Sequence, residues 1–316
     1  MPTLSFDLGG THLRCGIARG DELAALAVEK VPNFISGLAP SEVAERVAER
    51  IVAYVADHTA SLAHTDPLAL AFPGPVRRGN LALSAPTLYG PGCIEVPDLA
   101  ALLQRRTGRP VYMLNDVSAT AWALARRSAA SRFMVVTVSS GIGAKVFDRD
   151  SARGVLDSVA YAGEIGHYVV DDAADAPLCD CGARGHLGAI ASGRGVERLL
   201  RRQHGAHLEN ALHIVPAIRR GERWALTALA ASIAPLARTL LAVTMAVGLE
   251  KVFIVGGFAR SIGARYARML NAALVAQSRY PIAEPALATL CEVVGEHEEL
   301  ALLGAAYFAA TSAPQP

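Results

Sequence analysis

Residues 163 to 188, GEIGHYVVDDAADAPLCDCGARGHLG, set His167 and His186 on either side of a Cys179-Asp180-Cys181 triplet in a glycine-rich stretch. Thiolate sulfur and imidazole nitrogen are donors that transition metals prefer, so the stretch is either a metal site or two reduced thiols beside solvated histidines. A second cluster is Asn115-Asp116, straight after the apolar run PVYML. An aspartate that ends a strand and starts a helix is held rigidly and can take a proton from a hydroxyl, but aspartate also caps helices, and the local sequence leaves both roles open. Three glycine-bearing turns complete the set: Asp7 precedes Gly9-Gly10-Thr11, Ser139-Ser140 precede Gly141, and Gly256-Gly257 follow KVFIV. Backbone amides free of bulky Cβ groups can line an anion-binding concavity, and Asp7 could hold Mg²⁺ through water against the same phosphates. One Gly-Gly turn is equally an ordinary hairpin; three of them, each after an apolar run, point to a nucleotide.

The elements that must position these residues alternate along the chain. TLSFD at 3–7 and LRCGI at 13–17 read as a hairpin, whose adjacent glycines are expected to supply positive φ. Ser41 to Ala56 carries Val43, Val47, Ile51, Val52 and Val55 at helical spacing, with Glu42 in the first turn. Residues 69–72, 110–114, 132–138 and 251–255 read as buried strands, and 116–127, about 223–248 and about 298–310 as helices. The class is α/β with a mixed sheet, free of short repeats and low-complexity linkers.

Composition bounds the partners. A chain of 316 residues, half of them hydrophobic, exceeds what one core usually serves, so two domains are expected. A formal charge of +1 with no long Lys/Arg run gives no electrostatic reason to expect nucleic acid or an anionic membrane. Met1-Pro2-Thr3-Leu4-Ser5 lacks the basic region and apolar run of a signal peptide, and the apolar stretch around Leu240 to Leu249 is short and preceded by Arg238. A cytoplasmic location follows as an expectation, in which Cys15, Cys93, Cys179, Cys181 and Cys291 are thiols or metal ligands rather than disulfides.

The ordered series DLGGTHLR, FPGPV, LNDVSATAWAL, SSGIGA, GEIGH, CDCGARGH, IVGGF, LLGAA resembles the ROK family of repressors, open reading frames and sugar kinases, over nearly the whole chain. The resemblance implies a two-domain actin-like ATPase (ribonuclease H-like) fold with mixed sheets and a cleft between domains, ATP on one wall and a hexose on the other. Residues 1–115 and 298–316 would form a smaller N-terminal α/β domain, and 116–297 a larger one carrying the zinc loop. It implies Asp116 as general base, Asn115 as a binder of sugar hydroxyls, and Glu164 and His167 as groups hydrogen-bonded to the sugar. Asp7, Gly9, Gly10, Thr11, Ser140, Gly141, Gly256 and Gly257 would hold ATP and Mg²⁺. Family members commonly dimerise, so a homodimer is expected.

Within that resemblance, His167, Cys179, Cys181 and His186 make a closed tetrahedral set, so the zinc is structural: it fixes the Glu164 loop and leaves one His167 nitrogen for substrate. His186 stands where the family usually has a third cysteine. Gly188 stands where ROK kinases usually carry a glutamate near the anomeric end of the sugar; losing an acceptor there costs about 1 to 3 kcal/mol toward a hydroxyl donor. The acceptor is therefore expected to be a hexose-like ring altered at that end, an amino sugar or a C7 cyclitol. Ser118, where asparagine is common, and Ser139-Ser140, where Gly-Thr is common, are milder departures. An inactive sugar-binding regulator and an ordinary glucokinase are the alternatives. A repressor is disfavoured because the turn at Asp7 leaves no room for an N-terminal helix-turn-helix.

Overall fold

In the N-terminal sequence, apolar side chains alternate with small and polar ones. In the computed structural model, which describes residues 2–59, 62–77, 80–90, 92–93, 95–159, 161–295 and 299–312, β1 (Thr3–Leu8), β2 (His12–Arg19) and β3 (Glu22–Lys30) form an antiparallel meander. The expected hairpin thus gains a third strand. ELAALAVEK gives no strand signal, because it is an exposed edge rich in the weak strand formers Glu, Ala and Lys. The turn between β1 and β2 corrects a second expectation, since neither Gly9 nor Gly10 has positive φ. Gly10 supplies space instead: a Cβ there would lie 3.0 Å from the Thr87 carbonyl oxygen.

The chain continues through α1 (Pro40–Asp57), β4 (Leu68–Phe72), a short hairpin of β5 (Val76–Arg77) and β6 (Leu81–Ala82), α2 (Pro86–Tyr89), α3 (Leu99–Thr107), β7 (Val111–Asn115) and α4 (Asp116–Arg127). The sheet order is β3-β2-β1-β4-β7, with β4 parallel to both β1 and β7. Alternation along β4 sorts the two faces. Leu68, Leu70 and Phe72 pack with Val43, Val47 and Ile51 of α1 and Leu99 of α3, while Ala69 and Ala71 pack with Leu114, Ala119, Ala305 and Ala309.

The second unit holds β8 (Arg132–Val138), β9 (Ile142–Asp148), α5 (Leu187–Ala191), α6 (Gly193–His204), α7 (Val215–Arg220), α8 (Arg223–Val247), β10 (Lys251–Val255), α9 (Gly257–Ile262), α10 (Ala264–Ser278), α11 (Glu284–Leu287) and β11 (Cys291–Val293). Its sheet runs β11-β10-β8-β9; β8, β10 and β11 are parallel and β9 is an antiparallel edge. The core joins Met134, Val136 and Ile254 of the sheet to Leu229, Ile233, Leu236 and Leu240 of α8 and Tyr266 and Leu270 of α10. Helix α8 is 25 residues long with mean hydropathy 1.7, enough by length and composition to cross a membrane, yet half of its most apolar window is buried against this core.

The last helix, α12 (Leu300–Ser312), returns to the first unit. The two compact units are Met1–Ala129 with Asp157–Ala162 and Glu298–Pro316, and Ala130–Leu156 with Gly163–His297. The sequence-based boundary at 115/116 therefore shifts: α4 belongs to the first unit, because it packs against α12. The expected helix start at Glu298 lies outside the described residues. Close approach of α12 to α4 requires Gly304, where a Cβ would fall 1.6 Å from the Ala119 carbonyl oxygen. Overpacking in a close-packed core costs about 1–3 kcal/mol, and more when backbone must move. Gly304→Ala is expected to lower Tm by roughly 5 °C or more, followed by circular dichroism, while Gly295→Ala, which meets nothing within 4 Å, leaves it unchanged.

Candidate active site

In the first unit the predicted residues collect at the carboxyl ends of parallel strands, where open α/β sheets bind ligands. Asp7 pairs in register with Ala71 of β4, and Asn115 with Phe72, so Asp7 and Asn115 lie two strands apart, roughly 10 Å. Asn115, not Asp116, is the N-cap of α4: its Oδ1 accepts from the amides of Val117 at 3.0 Å and Ser118 at 3.2 Å. Asp116 is therefore not the cap and occupies the first helical position. Its Oδ1 accepts from the Val117 amide at 2.8 Å and from Asn115 Nδ2 at 2.9 Å, and the same Nδ2 donates to Gly74 O at 3.1 Å. The carboxylate is thereby oriented from two sides. Ser118, buried on the next positions of the helix, donates to Asp157 Oδ2 at 3.3 Å.

Asp7 faces Arg14, whose Nη1 lies 3.3 Å from Oδ2. Burial pushes the Asp7 carboxyl above its usual range, while the charge and hydrogen bond of Arg14 pull it back. In the adjoining turn the Gly9 N–H donates to His12 O at 2.8 Å, so the Gly9 amide is engaged by the turn itself. Asn33 Nδ2 donates to Gly10 O at 2.6 Å and holds the turn in place.

The second unit brings two of the sequence-predicted glycine turns together. They follow neighbouring parallel strands, with Val255 in register with Thr137. Gly256, at φ 95°, is compressed against β8: a Cβ would sit 2.7 Å from Val138 N. Ser139, Ser140, Gly257 and Phe258 then line one cavity of roughly 620 Å³ together with Gly193, Asn210 and Pro216, a volume suited to a nucleotide. Gly193 is needed because a Cβ would lie 2.8 Å from the Phe258 ring, and its N–H donates to Ser139 O at 2.8 Å. Gly141 and Gly256 lie outside its lining.

Glu164 and His167 lie on a 3₁₀ turn, Ile165–His167, docked against β9. Gly163 O accepts from the Ala144 N–H at 3.1 Å. The Glu164 carboxylate is about one-third exposed, and Oε1 lies 3.5 Å from Nζ of Lys145, a buried lysine on β9. Sequence reasoning missed Lys145, because a lysine in SSGIGAKVFD reads as a solvated strand residue; its burial comes from the turn that folds over it.

His167, Cys179, Cys181 and His186 converge, with one ligand atom from each and all four atoms within 4.8 Å of one another. His167 Nδ1 to His186 Nδ1 is 3.4 Å, Cys181 Sγ to His186 Nδ1 3.3 Å and Cys179 Sγ to His167 Nδ1 3.9 Å. A tetrahedral zinc with bonds of about 2.1 Å to nitrogen and 2.3 Å to sulfur implies edges of about 3.4 to 3.8 Å, so the donor set fits such an ion. Both histidines turn Nδ1 to the cluster, which leaves Nε2 of His167 on the outer side of its ring. Burial, and then the His167 charge, hold the His186 imidazole below its usual range, which suits a neutral ligand; burial foremost pushes the Cys179 thiol up, so a metal must displace its proton. The loop is anchored by Asp180, between the cysteines, which pairs with Arg194 and, at 3.1 Å, Arg198 of α6. Spacing alone gave no sign of that pairing.

A profile of the ROK family matches residues 3–312. The C(7)-cyclitol 7-kinase of Streptomyces hygroscopicus subsp. jinggangensis is 34% identical, covering 98% of this chain and 94% of that protein. An N-acetylmannosamine kinase of Haemophilus influenzae is 30% identical over 62% of this chain and 61% of that protein. Among solved structures, a ROK hexokinase from Thermus thermophilus superposes with TM-score 0.76 at 25% identity, covering 98% of each chain. A ROK glucokinase from Streptomyces griseus, in complex with glucose and AMPPNP, shares the fold with TM-score 0.69 at 20% identity, over 97% of this chain and 98% of that one. The strand orders and parallel strand ends described above are those of the actin-like ATPase fold, and the chain belongs to the ROK family.

Proposed function

We propose that this chain is an ATP-dependent kinase that phosphorylates the primary, C6-type hydroxyl of a hexose-like ring, with a C7 cyclitol as the acceptor its sequence fits best. The observation that carries the reading is Asp116: a carboxylate at the first position of α4, oriented by Asn115 Nδ2 and the Val117 amide, in a chain with full-length likeness to a C(7)-cyclitol 7-kinase. Phosphoryl transfer to an alcohol needs positioning, charge neutralisation and a base for the hydroxyl proton. Asp116 takes that proton. Asn115 acts chiefly by orienting Asp116, since its own donors and acceptor already serve Gly74, Asp116 and the helix cap. The Ser139–Gly141 turn and the cavity reaching Gly257 receive the nucleotide, and the Gly10 and Thr11 amides its phosphates. Asp7 would hold Mg²⁺ through water, and that ion would supply charge neutralisation at the phosphates.

Glu164, and His167 through Nε2, hold ring hydroxyls. Gly188 leaves room beside them, bounded by Gly166 O, which would lie 3.1 Å from a Cβ at 188. A ring without an anomeric hydroxyl loses nothing there, which favours a cyclitol over plain glucose. The Cys/His cluster holds a structural zinc, with no position left for water. The chemistry also suits the cytoplasm, where ATP and reduced thiols are available, and the family habit suggests a homodimer.

Asp116→Ala is expected to reduce kcat by about 10²- to 10⁴-fold with intact folding, measured by coupled ADP release; undiminished turnover would remove the base from the mechanism. On the wild-type chain, a valiolone-type cyclitol should show a higher kcat/KM than glucose, and a clear preference for glucose would refute the cyclitol reading. For the metal, the purified chain should carry one zinc by plasma emission. Cys181→Ser should lose it, lower Tm and raise KM more than it lowers kcat, whereas a metal-free wild type of full stability would contradict the structural role.

A further inference from the structure

Four cationic side chains, Arg219, Lys251, Arg260 and Arg268, line a cavity of roughly 710 Å³ in the second unit, between α9, the start of α10 and the end of β11. Glu292 is the one carboxylate among the described residues of that lining, and it lies 3.8 Å from Lys251 Nζ. The three guanidinium groups have no carboxylate partner among the described residues. Arg219 Nε donates to Ser261 O at 2.6 Å, while Arg260 Nε is out of water with no hydrogen-bond partner. Like charges gathered round one hollow repel, and a guanidinium held partly dry without a counter-charge is costly. An anion in the hollow offsets both. The positive end of α10 adds to the attraction, since Gly263 and Ala264 line the same cavity and the helix has no side-chain cap.

We infer that this cavity is a second anion site, one that takes an anion of two or more linked phosphoryl groups beside the nucleotide and not in its place. Guanidinium forks match phosphate oxygens, and four cations spread round a cavity of this size exceed what a single phosphate can meet. The cavity shares only Arg219, Gly257 and Ser261 with the one reaching Ser139 and Ser140. That neighbour has Phe258 and Pro216 to receive a base, whereas no aromatic side chain is among the described residues lining this one. The distinction between the two rests on the reading that the neighbour takes ATP.

The test is equilibrium dialysis of the full chain against tripolyphosphate after saturation with a non-hydrolysable ATP analogue, whose own binding is measured first. The wild type is expected to retain one tripolyphosphate and to bind inorganic phosphate or a sugar monophosphate at least ten-fold more weakly. Arg260→Met and Arg268→Ala are each expected to weaken tripolyphosphate about ten-fold; Arg268 is exposed, so its variant serves as the readout if Arg260→Met does not fold. Arg238→Ala, which removes the same charge from an exposed position of α8 outside the cavity, leaves binding unchanged. The inference is overturned if the saturated chain holds no tripolyphosphate, if Arg238→Ala weakens it as much as Arg268→Ala, or if a single phosphate binds equally well. A chain that does not bind the analogue yet holds tripolyphosphate through Arg268 overturns the nucleotide reading alone.

Discussion

The turn that carries Glu164 and His167 touches strand β9 backbone to backbone, closer than any side chain at Gly163 or Gly166 would allow. A third contact of the same kind follows at Gly185, φ 70°, where a Cβ would lie 1.6 Å from Asp171 O. The arrangement of the second unit's site depends on these contacts. They set the height of Glu164 over Lys145, and they bring His186 back beside His167 through the pairing of Val169 with His186. Converging donors are then a consequence of backbone geometry, and a zinc held by them would lock a turn already shaped by its glycines.

The first unit solves a different problem by the same means. Asp116 stands at the start of a helix held by tightly packed small residues. Ala69 and Ala71 on β4, Ala119 on α4 and Ala305 and Ala309 on α12 let two helices lie close against the sheet. Gly304 removes the last obstacle between them. Ser5, buried in β1, donates to Leu302 O and ties α12 to the strand that delivers Asp7. The carboxyl-end positions of β1 and β7 are thus fixed relative to each other by hydrogen-bonded strands.

Much of this was legible in the sequence, for identifiable reasons. Strands buried on both faces, such as LALAF and RFMVVTV, announce themselves as apolar runs. Cysteine and histidine are rare enough here that four of them in one glycine-rich stretch mark a donor set. Other features had no local signal. β3 is an edge whose residues are largely solvated; the positive φ expected of Gly9 and Gly10 is absent, because the turn demands space rather than a left-handed backbone. Placing α4 with the first unit depends on α12, which is distant in sequence. The Lys145–Glu164, Asp180–Arg194 and Ser118–Asp157 pairs likewise join residues whose proximity only the folded chain creates. For Asp116 the sequence offered cap or base, and the structure removes the first of these, because the Asn115 side chain takes the cap.

Strand β9 joins the Ser139–Gly141 turn to the turn that carries Glu164. It starts at Ile142, directly after the Ser139–Gly141 turn, and carries Lys145 three residues on, roughly 10 Å at strand rise. Its inner edge pairs with β8 over its full length, and its outer edge receives the Glu164 turn. A strand paired on one side and covered on the other has little freedom to slide, because a register shift of one residue would turn Lys145 to the opposite face and break its pairing with Glu164. The spacing between the Ser139–Gly141 turn and the Glu164 carboxylate is therefore set by a count of residues.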